Sequence, residues 1–121
     1  MKKVSENGFA VYHSHRAEPY FTFVKKGQKT IEGRIKKGYY KFIKPGGHIV
    51  IYNEEETDSV EVIVKEVRDY RTFRELLENE AIAEVLPNVK TVDEGIEVYR
   101  KFYTTEQEKE FGVVALKVKR V

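Results

Sequence analysis

Two cations and a carboxylate stand close together in the segment Gly27-Gln28-Lys29-Thr30-Ile31-Glu32-Gly33-Arg34. In an extended strand alternate side chains share a face, so Glu32 and Arg34 become neighbours, and Lys29 reaches the same place along its flexible stem. The cations could hold an anion, and the carboxylate could accept from the amino group of a base or activate water. The spacing therefore predicts a binding or catalytic site.

The same pattern is also typical of an ordinary solvent-exposed strand. In that interpretation Glu32 and Arg34 form a structural ion pair, and Lys29 is solvated in a turn. If the residues form a site instead, Lys29→Ala and Arg34→Ala should weaken ligand binding or activity but leave the stability of the fold nearly unchanged, since exposed charges contribute about 0–1 kcal/mol. A large loss of stability would favour the structural interpretation. Spacing alone leaves both interpretations open.

Aromatic and basic residues are interspersed from position 36 to position 44, as on surfaces that stack bases and hold phosphates. Tyr39 and Lys41 are therefore candidate ligand contacts, although a ring here could instead close the end of a sheet. Tyr103, near the end of a predicted helix, is a further candidate at the edge of the site. Tyr99 shares the apolar face of that helix and is assigned to packing.

Charge is distributed unevenly along the chain. The net charge is +2, but residues 21–47 hold eight basic residues and one acid, whereas residues 54–110 hold 17 acids and eight basic residues. The first region could attract a polyanion such as RNA. A salt-bridged surface without such a partner accounts for the charge equally well.

The composition limits the chemistry. There is no cysteine, which excludes disulfides, thiolate nucleophiles and thiolate-bound metals. His13 and His15 share one side of an extended segment without a third ligand at useful spacing, so we predict no metal and no other cofactor. No segment is typical of a signal peptide or a membrane span, so we expect an intracellular protein, cytoplasmic or nuclear, without membrane contact.

Strands interrupted by helices must position the candidate residues. The length of 121 residues suits a single domain, residues 1–121. Alternating or β-branched patterns predict strands at Phe9 to His13, Thr30 to Ile35, His48 to Tyr52, Val60 to Val67 with a bulge near Ile63, and Gly112 to Val118.

Three helices are predicted from their ends. Pro19 begins a short helix that Gly27 terminates, and the capping boxes Thr72-Phe73-Arg74-Glu75 and Thr91-Val92-Asp93-Glu94 begin two more. This order is that of an α+β fold and not of the regular strand–helix alternation of a parallel sheet.

Taken together, these segments resemble the ASCH domain (activating signal cointegrator homology), a relative of the PUA RNA-binding fold. Positions 27, 29, 32 and 34 match its Gly-x-Lys-x-x-Glu-x-Arg motif. The resemblance covers nearly the whole chain, including Glu18-Pro19-Tyr20-Phe21, Ile43-Lys44-Pro45-Gly46-Gly47 and Phe111-Gly112-Val113-Val114-Ala115-Leu116. It implies a PUA-like small β-barrel of about five to six mostly antiparallel strands with inserted helices, and a cleft, lined by Lys29, Glu32 and Arg34, for RNA or a modified nucleoside.

Some members of that family are hydrolases. In the ASCH amidohydrolases that remove the acetyl group of N4-acetylcytidine, a lysine at the position of Lys29 and a threonine three residues later act as base and nucleophile, assisted by a helical glutamate. Here Glu32 replaces that threonine, Thr30 has another offset, and Glu80 and Glu84 are both candidates for the helical glutamate. If the chain is an enzyme, we therefore predict Lys29 and Glu32 as its catalytic residues, with water as the nucleophile.

Two hypotheses follow, with a third of another class. The first is an RNA- or nucleoside-binding domain, and the second is a small hydrolase acting on a nucleoside amide or on RNA. A sealed, nucleoside-sized pocket would favour the enzyme, and an open basic groove would favour the binding domain. The third, a domain that binds protein partners, would show an exposed apolar patch.

Overall fold

The computed structural model describes residues 10–121 with their side chains and residues 2–4 by their backbone. Its strands are β1 (Lys2–Val4), β2 (Ala10–Arg16), β3 (Ile31–Ile35), β4 (His48–Asn53), β5 (Ser59–Tyr70) and β6 (Val113–Arg120). Its helices are α1 (Tyr20–Lys25), α2 (Phe73–Asn79), α3 (Ile82–Val85), α4 (Val92–Arg100) and α5 (Thr105–Phe111), with a 3-10 turn at Gly38–Lys41. The predicted α+β class is confirmed.

The strands form one curled sheet in the order β1-β2-β4-β5-β6-β3. β2 pairs with β4 in parallel, and the other pairs are antiparallel. The long β5 pairs with β4 and then with β6, and its register shifts between Val64 and Glu66, next to the predicted bulge. Because a bulge bends its strand, this shift helps the sheet to curl. The predicted small barrel of mostly antiparallel strands is confirmed, in the form of a half-barrel.

Two apolar cores lie on the two faces of the sheet. Strand β6 contributes to both, since Val114 and Leu116 pack in one core and Val113 and Ala115 in the other. The first core fills the interior of the half-barrel and includes Tyr12, Phe21, Ile49, Ile51, Val62 and Val64. The second joins β3 and β6 to the helices and includes Ile31, Ile35, Phe73, Leu76, Leu77 and Val85. A strand buried on both faces is apolar at nearly every position.

The predicted helix ends are confirmed. The hydroxyl of Thr72 accepts from the backbone N–H of Glu75 at 3.1 Å, and Thr91 forms a complete capping box with Glu94. Helix α1 ends as predicted just before Gly27, which has a φ of +77°, a backbone angle that residues with a side chain rarely adopt.

Several elements were missing from the sequence prediction. Thr104 and Gln107 form a capping box that begins α5, and α3, β1 and the 3-10 turn were also missed. Strand β2 continues beyond His13 as far as Arg16, while its predicted start, Phe9, lies outside the described residues. Within the described ranges, no helix has the length and apolar character needed to cross a membrane.

Candidate functional site

A cavity of about 300 Å³ lies where β2, β3 and α4 approach one another. This volume is at the lower end of the range for small-molecule sites, about 300–1,000 Å³. Its polar walls are formed by Arg16, Lys29, Glu32, Arg34, Tyr99 and Tyr103. Apolar and aromatic walls come from Tyr20, Leu86, Val98 and Phe102.

An ion pair between Arg16 and Glu32 joins β2 to β3 at the bottom of this cavity. Nη2 of Arg16 lies 2.9 Å from Oε2 of Glu32, and the two side chains are 9% and 2% exposed. In the sheet order three other strands separate β2 from β3. The curl of the half-barrel therefore brings together two charges that sequence and strand pairing leave far apart.

The expectation that the charged groups of the motif would be exposed is wrong for Lys29 and Glu32. Glu32 is 2% exposed and Lys29 is 4% exposed, because β3 turns its polar face into the half-barrel and its isoleucines toward the helices. Burial opposes ionisation of Glu32, but the positive charges of Arg16, Lys29 and Arg34 outweigh it and hold the pKa of this carboxyl below its usual value. Glu32 is therefore a buried carboxylate ion.

Lys29 lies two residues before the start of β3, and two backbone carbonyl groups hold its ammonium. Its Nζ donates to the carbonyl oxygen of Ile31 at 2.8 Å and to that of Val85 at the end of α3. Burial lowers the pKa of Lys29 to about 8, although the nearby charge of Glu32 partly opposes this shift. The amine is therefore mostly protonated at pH 7 and loses its proton at mildly alkaline pH.

Arg34 is positioned by an aromatic ring instead of by Glu32. Its guanidinium carbon lies 4.8 Å from the ring centroid of Tyr40, and the Tyr40 hydroxyl accepts from that of Tyr39 at 2.9 Å and lies 3.2 Å from Oγ of Ser14. Burial raises the pKa of Tyr40, but the positive charges of Arg34 and Arg16 outweigh burial and hold this pKa below its usual value. The hydroxyl network thus fixes the ring on which Arg34 rests.

Several buried polar atoms in the cavity wall have no hydrogen-bond partner within residues 10–121. They are Oε1 of Glu32, Nε and Nη2 of Arg16, Nε of Arg34 and the hydroxyl of Tyr99, so the contact of Nη2 with Glu32 is an ion pair without an aligned hydrogen bond. An unsatisfied buried polar group costs about 1–3 kcal/mol. One acceptor and several donors are therefore available to a ligand of complementary polarity.

Gly33 allows Tyr99 to approach this polar group. A Cβ at Gly33 would lie 3.0 Å from Cζ of Tyr99 and closer still to its hydroxyl, which is tighter than real Cβ contacts. The ring of Tyr99 stacks on Phe73 with centroids 4.0 Å apart. Burial, together with the negative charge of Glu32, raises the pKa of Tyr99, so its hydroxyl is a neutral group that can donate.

The cavity brings together four of the predicted ligand residues, namely Lys29, Glu32, Arg34 and Tyr103. The other two do not line it. The hydroxyl of Tyr39 donates to that of Tyr40, while the ammonium of Lys41 lies 5.8 Å from the ring centroid of Phe111. A role for Tyr39 in the site is thus indirect, through the ring that supports Arg34.

The hydroxyl and the two helical glutamates considered for an acyl-transfer mechanism, Thr30, Glu80 and Glu84, do not line the cavity. Thr30 donates its hydroxyl proton to Oε1 of Glu84 at 2.9 Å. Glu80 accepts from Arg68 and from the hydroxyl of Tyr70. Neither helical glutamate is therefore placed to assist Lys29 directly.

The two histidines considered as a metal pair contact other side chains, and only His15 of the two lines the cavity. His13 Nδ1 lies 3.0 Å from the Tyr52 hydroxyl, and Nε2 of His15 lies 3.4 Å from a carboxylate oxygen of Glu56. Across the described part of the chain, no three His, Asp or Glu side chains are grouped as a metal site would require.

Sequence reasoning missed Arg16 and the hydroxyl of Tyr99, and it did not identify Tyr20 or Phe102 as residues that line the cavity. Tyr12, Ser14 and Arg16 are buried at alternate positions of β2, so the period of the strand could have identified Arg16 as inward-facing. The assignment of Tyr99 to packing is correct for its ring, but it did not predict that the hydroxyl would lie in the cavity wall. The close approach that Gly33 permits is a tertiary contact without a sequence signal.

The comparisons with known proteins agree with this architecture. The sequence pattern of the ASCH domain matches residues 16–121. No curated protein matches the chain significantly.

Several solved structures are similar to it. A crystal structure of the hypothetical protein PH0355 is 40% identical, with a TM-score of 0.80 over 92% of this chain and 99% of that one. A solution structure of protein PF0455 from Pyrococcus furiosus is also 40% identical, with a TM-score of 0.72 over 92% and 97% of the two chains. An ASCH domain from Lactobacillus crispatus shares 15% identity and the fold, with a TM-score of 0.64 over 97% and 86%.

Proposed function

This chain belongs to the ASCH domain family, and we propose that its cavity binds one base of an RNA strand or of a modified nucleoside. The observation that carries the proposal is the unpartnered Oε1 of Glu32, a carboxylate that is 2% exposed in the cavity wall. A buried acceptor is satisfied by an N–H donor of the ligand. The exocyclic amino group of a nucleobase is a donor of this kind.

The neighbouring groups complement the other edge atoms of such a base. Nε of Arg16 and Nε of Arg34 are buried donors without partners, and they suit ring nitrogens or carbonyl oxygens that accept. Since Glu32 uses its other oxygen, Oε2, to hold Arg16, one carboxylate oxygen remains for the ligand. The site therefore favours a base edge with a donor beside an acceptor.

Aromatic rings and net charge support the same ligand class. Tyr20, Tyr99 and Phe102 contribute aromatic rings to the lining of the cavity, and aromatic side chains are typical of sites for unstacked bases. The lining carries the cations of Arg16, Lys29 and Arg34 against the carboxylates of Glu32 and Glu54 at neutral pH, so it is positive overall, and away from Glu54 it tolerates a nearby phosphate.

Calorimetric titration with ribonucleosides and short RNA oligomers tests this function. Wild-type protein should bind at least one of these ligands, and Glu32→Gln should lower the affinity at least about 10-fold, because the charged acceptor is replaced by a weaker one. Glu84→Gln is the matched control, since it makes the same change outside the cavity. Equal affinity in wild type and Glu32→Gln would contradict the proposal.

A second function, hydrolysis of a nucleoside amide, is favoured by one observation at Lys29. When neutral, its amine has two N–H groups, which match the carbonyl oxygens of Ile31 and Val85, and one lone pair that remains free. With a pKa of about 8, the amine could accept a proton from water, and the resulting hydroxide would attack the amide carbonyl. The proton would then pass to the departing amine. The lowered pKa of Glu32 makes that carboxylate the weaker base.

Acylated nucleosides distinguish the two functions. An enzyme of this kind should release the free carboxylic acid at a rate that rises with pH through about 8 and then levels off. Lys29→Met should remove the activity. If the protein binds the ligand but releases no acid at any pH between 6 and 10, the hydrolase function is excluded and only the binding function remains.

A further inference from the structure

Phe102 lies at the mouth of the cavity with 50% of its surface exposed. Its ring meets that of Tyr20 edge to face, with centroids 6.5 Å apart and an interplanar angle of 81°. Both residues line the cavity. Aromatic surface therefore extends from the wall of the cavity to the solvent, and the exposed part of Phe102 is free to contact a ligand.

Local structure holds Phe102 in place. The backbone N–H groups of Phe102 and Tyr103 both donate to the carbonyl oxygen of Tyr99, at 3.0 and 2.8 Å. The ring of Tyr103 then stacks on Phe73, with centroids 5.4 Å apart, and Thr104 begins the next helix. A residue fixed in this way loses little conformational freedom when a ligand covers it, so its contact area contributes efficiently to affinity.

The rest of the rim restricts the path of an extended ligand. Glu54, from the turn between β4 and β5, brings a carboxylate to the rim, and the same turn carries Glu55 and Glu56. These charges repel a phosphodiester. The aromatic part of the rim, formed by Phe102 and Tyr20, carries no such charge.

The size of the cavity leaves a second base outside. At about 300 Å³ it is at the lower limit of small-molecule sites, which is enough for one base with its sugar. A neighbouring nucleotide would therefore lie at the mouth, on the side of the rim where the aromatic rings are.

Resting on the proposed function, we propose that the ligand is a nucleotide within single-stranded RNA, and that Phe102 stacks on the base adjacent to the one held against Glu32. Stacking on an exposed aromatic side chain tolerates any base, because every base has a π-face. The cavity therefore determines which base is bound. The ring of Phe102 increases the affinity for an RNA strand relative to a free nucleoside.

The experiment compares ribonucleosides with dinucleoside monophosphates that contain them, using calorimetric titration. The dinucleoside monophosphate should bind about 5- to 100-fold more tightly than the tighter of its nucleosides, as expected for one stacked base. Phe102→Ala should weaken the dinucleoside monophosphate far more than the nucleoside, and Phe102→Trp should retain the difference. Phe42→Ala is the control, since Phe42 is 69% exposed and does not line the cavity.

The outcomes separate this inference from the function on which it rests. Nucleosides that bind as tightly as dinucleoside monophosphates would overturn the role of Phe102 and leave the base-binding cavity intact. Equal weakening of both ligands by Phe102→Ala would also overturn it, because Phe102 would then contact the base in the cavity. If neither ligand binds to the wild-type protein, both proposals fail.

Discussion

The guanidinium of Arg16 lies 2.9 Å from the carboxylate of Glu32, and together they bridge two strands that are not neighbours in the sheet. This pair occupies the open side of the half-barrel, where backbone pairing cannot supply the connection. It consumes one oxygen of Glu32 and leaves the other free. The contact that closes the fold is thus also the contact that orients the proposed acceptor.

Removing Arg16 should therefore destabilise the fold strongly. Arg16→Met leaves Glu32 charged and buried, and the loss of one partner of such a pair costs at most about 3–5 kcal/mol, an upper bound because Lys29 and Arg34 still oppose the charge. Urea denaturation gives the free energy of unfolding. Arg74→Met is the control, since the pair of Arg74 with Asp93 is exposed and should contribute about 0–1 kcal/mol. Similar values for the two variants would show that the buried pair has no special role.

The stability of the protein should also depend on the titration of Lys29. Its pKa is about 8 in the folded chain against the usual 10.5, so between these values the unfolded chain binds a proton that the folded chain has lost. The free energy of unfolding should then rise with pH in this window, by on the order of 3 kcal/mol from this group. Subtracting the curve for Lys29→Met isolates the effect. Parallel curves for the two proteins from pH 8 to 10.5 would show that Lys29 keeps an ordinary pKa.

Local patterns in the sequence predicted most of the fold. The capping residues Thr72 and Thr91 and the alternation of β3 were sufficient to place their elements. The same type of signal at Thr104 and Gln107 was present and was overlooked. These features depend on neighbours within a few residues, and so they can be read from one segment at a time.

The candidate site could be predicted only in part, because it depends on contacts between distant segments. The motif identified Lys29, Glu32 and Arg34 as candidates, but not that Lys29 and Glu32 would be buried or that Arg16 would supply the ion pair. The burial of Glu32 results from the curl of the whole sheet, and its partner Arg16 comes from β2, which three other strands separate from β3 in the sheet order. No spacing within a single segment contains that information.

Tyr99→Phe should separate stability from ligand binding. The hydroxyl of Tyr99 is buried without a partner, so its removal should leave the free energy of unfolding unchanged or slightly higher. Ligand affinity should nevertheless fall about 5- to 10-fold, the equivalent of one hydrogen bond of roughly 1–1.5 kcal/mol. Thermal unfolding and calorimetry measure the two effects. A large loss of stability with unchanged affinity would assign the hydroxyl a purely structural role.

Gly33→Ala tests the close approach of the same ring. An added Cβ would displace Tyr99, and we expect a loss of about 1–3 kcal/mol from overpacking. Tyr99→Phe in the Gly33→Ala background should recover part of this loss. Additive effects of the two substitutions would indicate that they do not interact.

Thr30→Val should leave any amidase activity intact. The hydroxyl of Thr30 donates to Glu84 and does not line the cavity, so it cannot carry an acyl group derived from a ligand bound there. Lys29→Met serves as the variant expected to lose activity. An acetyl group trapped on Thr30 and detected by mass spectrometry would refute this assignment.

The most direct test of the central claim compares cytidine with uridine, and adenosine with inosine, by titration of the wild-type protein. Each deaminated partner replaces the amino donor by a carbonyl oxygen, which would face the buried Oε1 of Glu32 without a hydrogen bond. We expect at least one amino-bearing nucleoside to bind about 10- to 100-fold more tightly than its deaminated partner, since an unpaired buried acceptor costs about 1–3 kcal/mol. Equal affinities within both pairs would contradict the assignment of Glu32 as the acceptor for a nucleobase amino group.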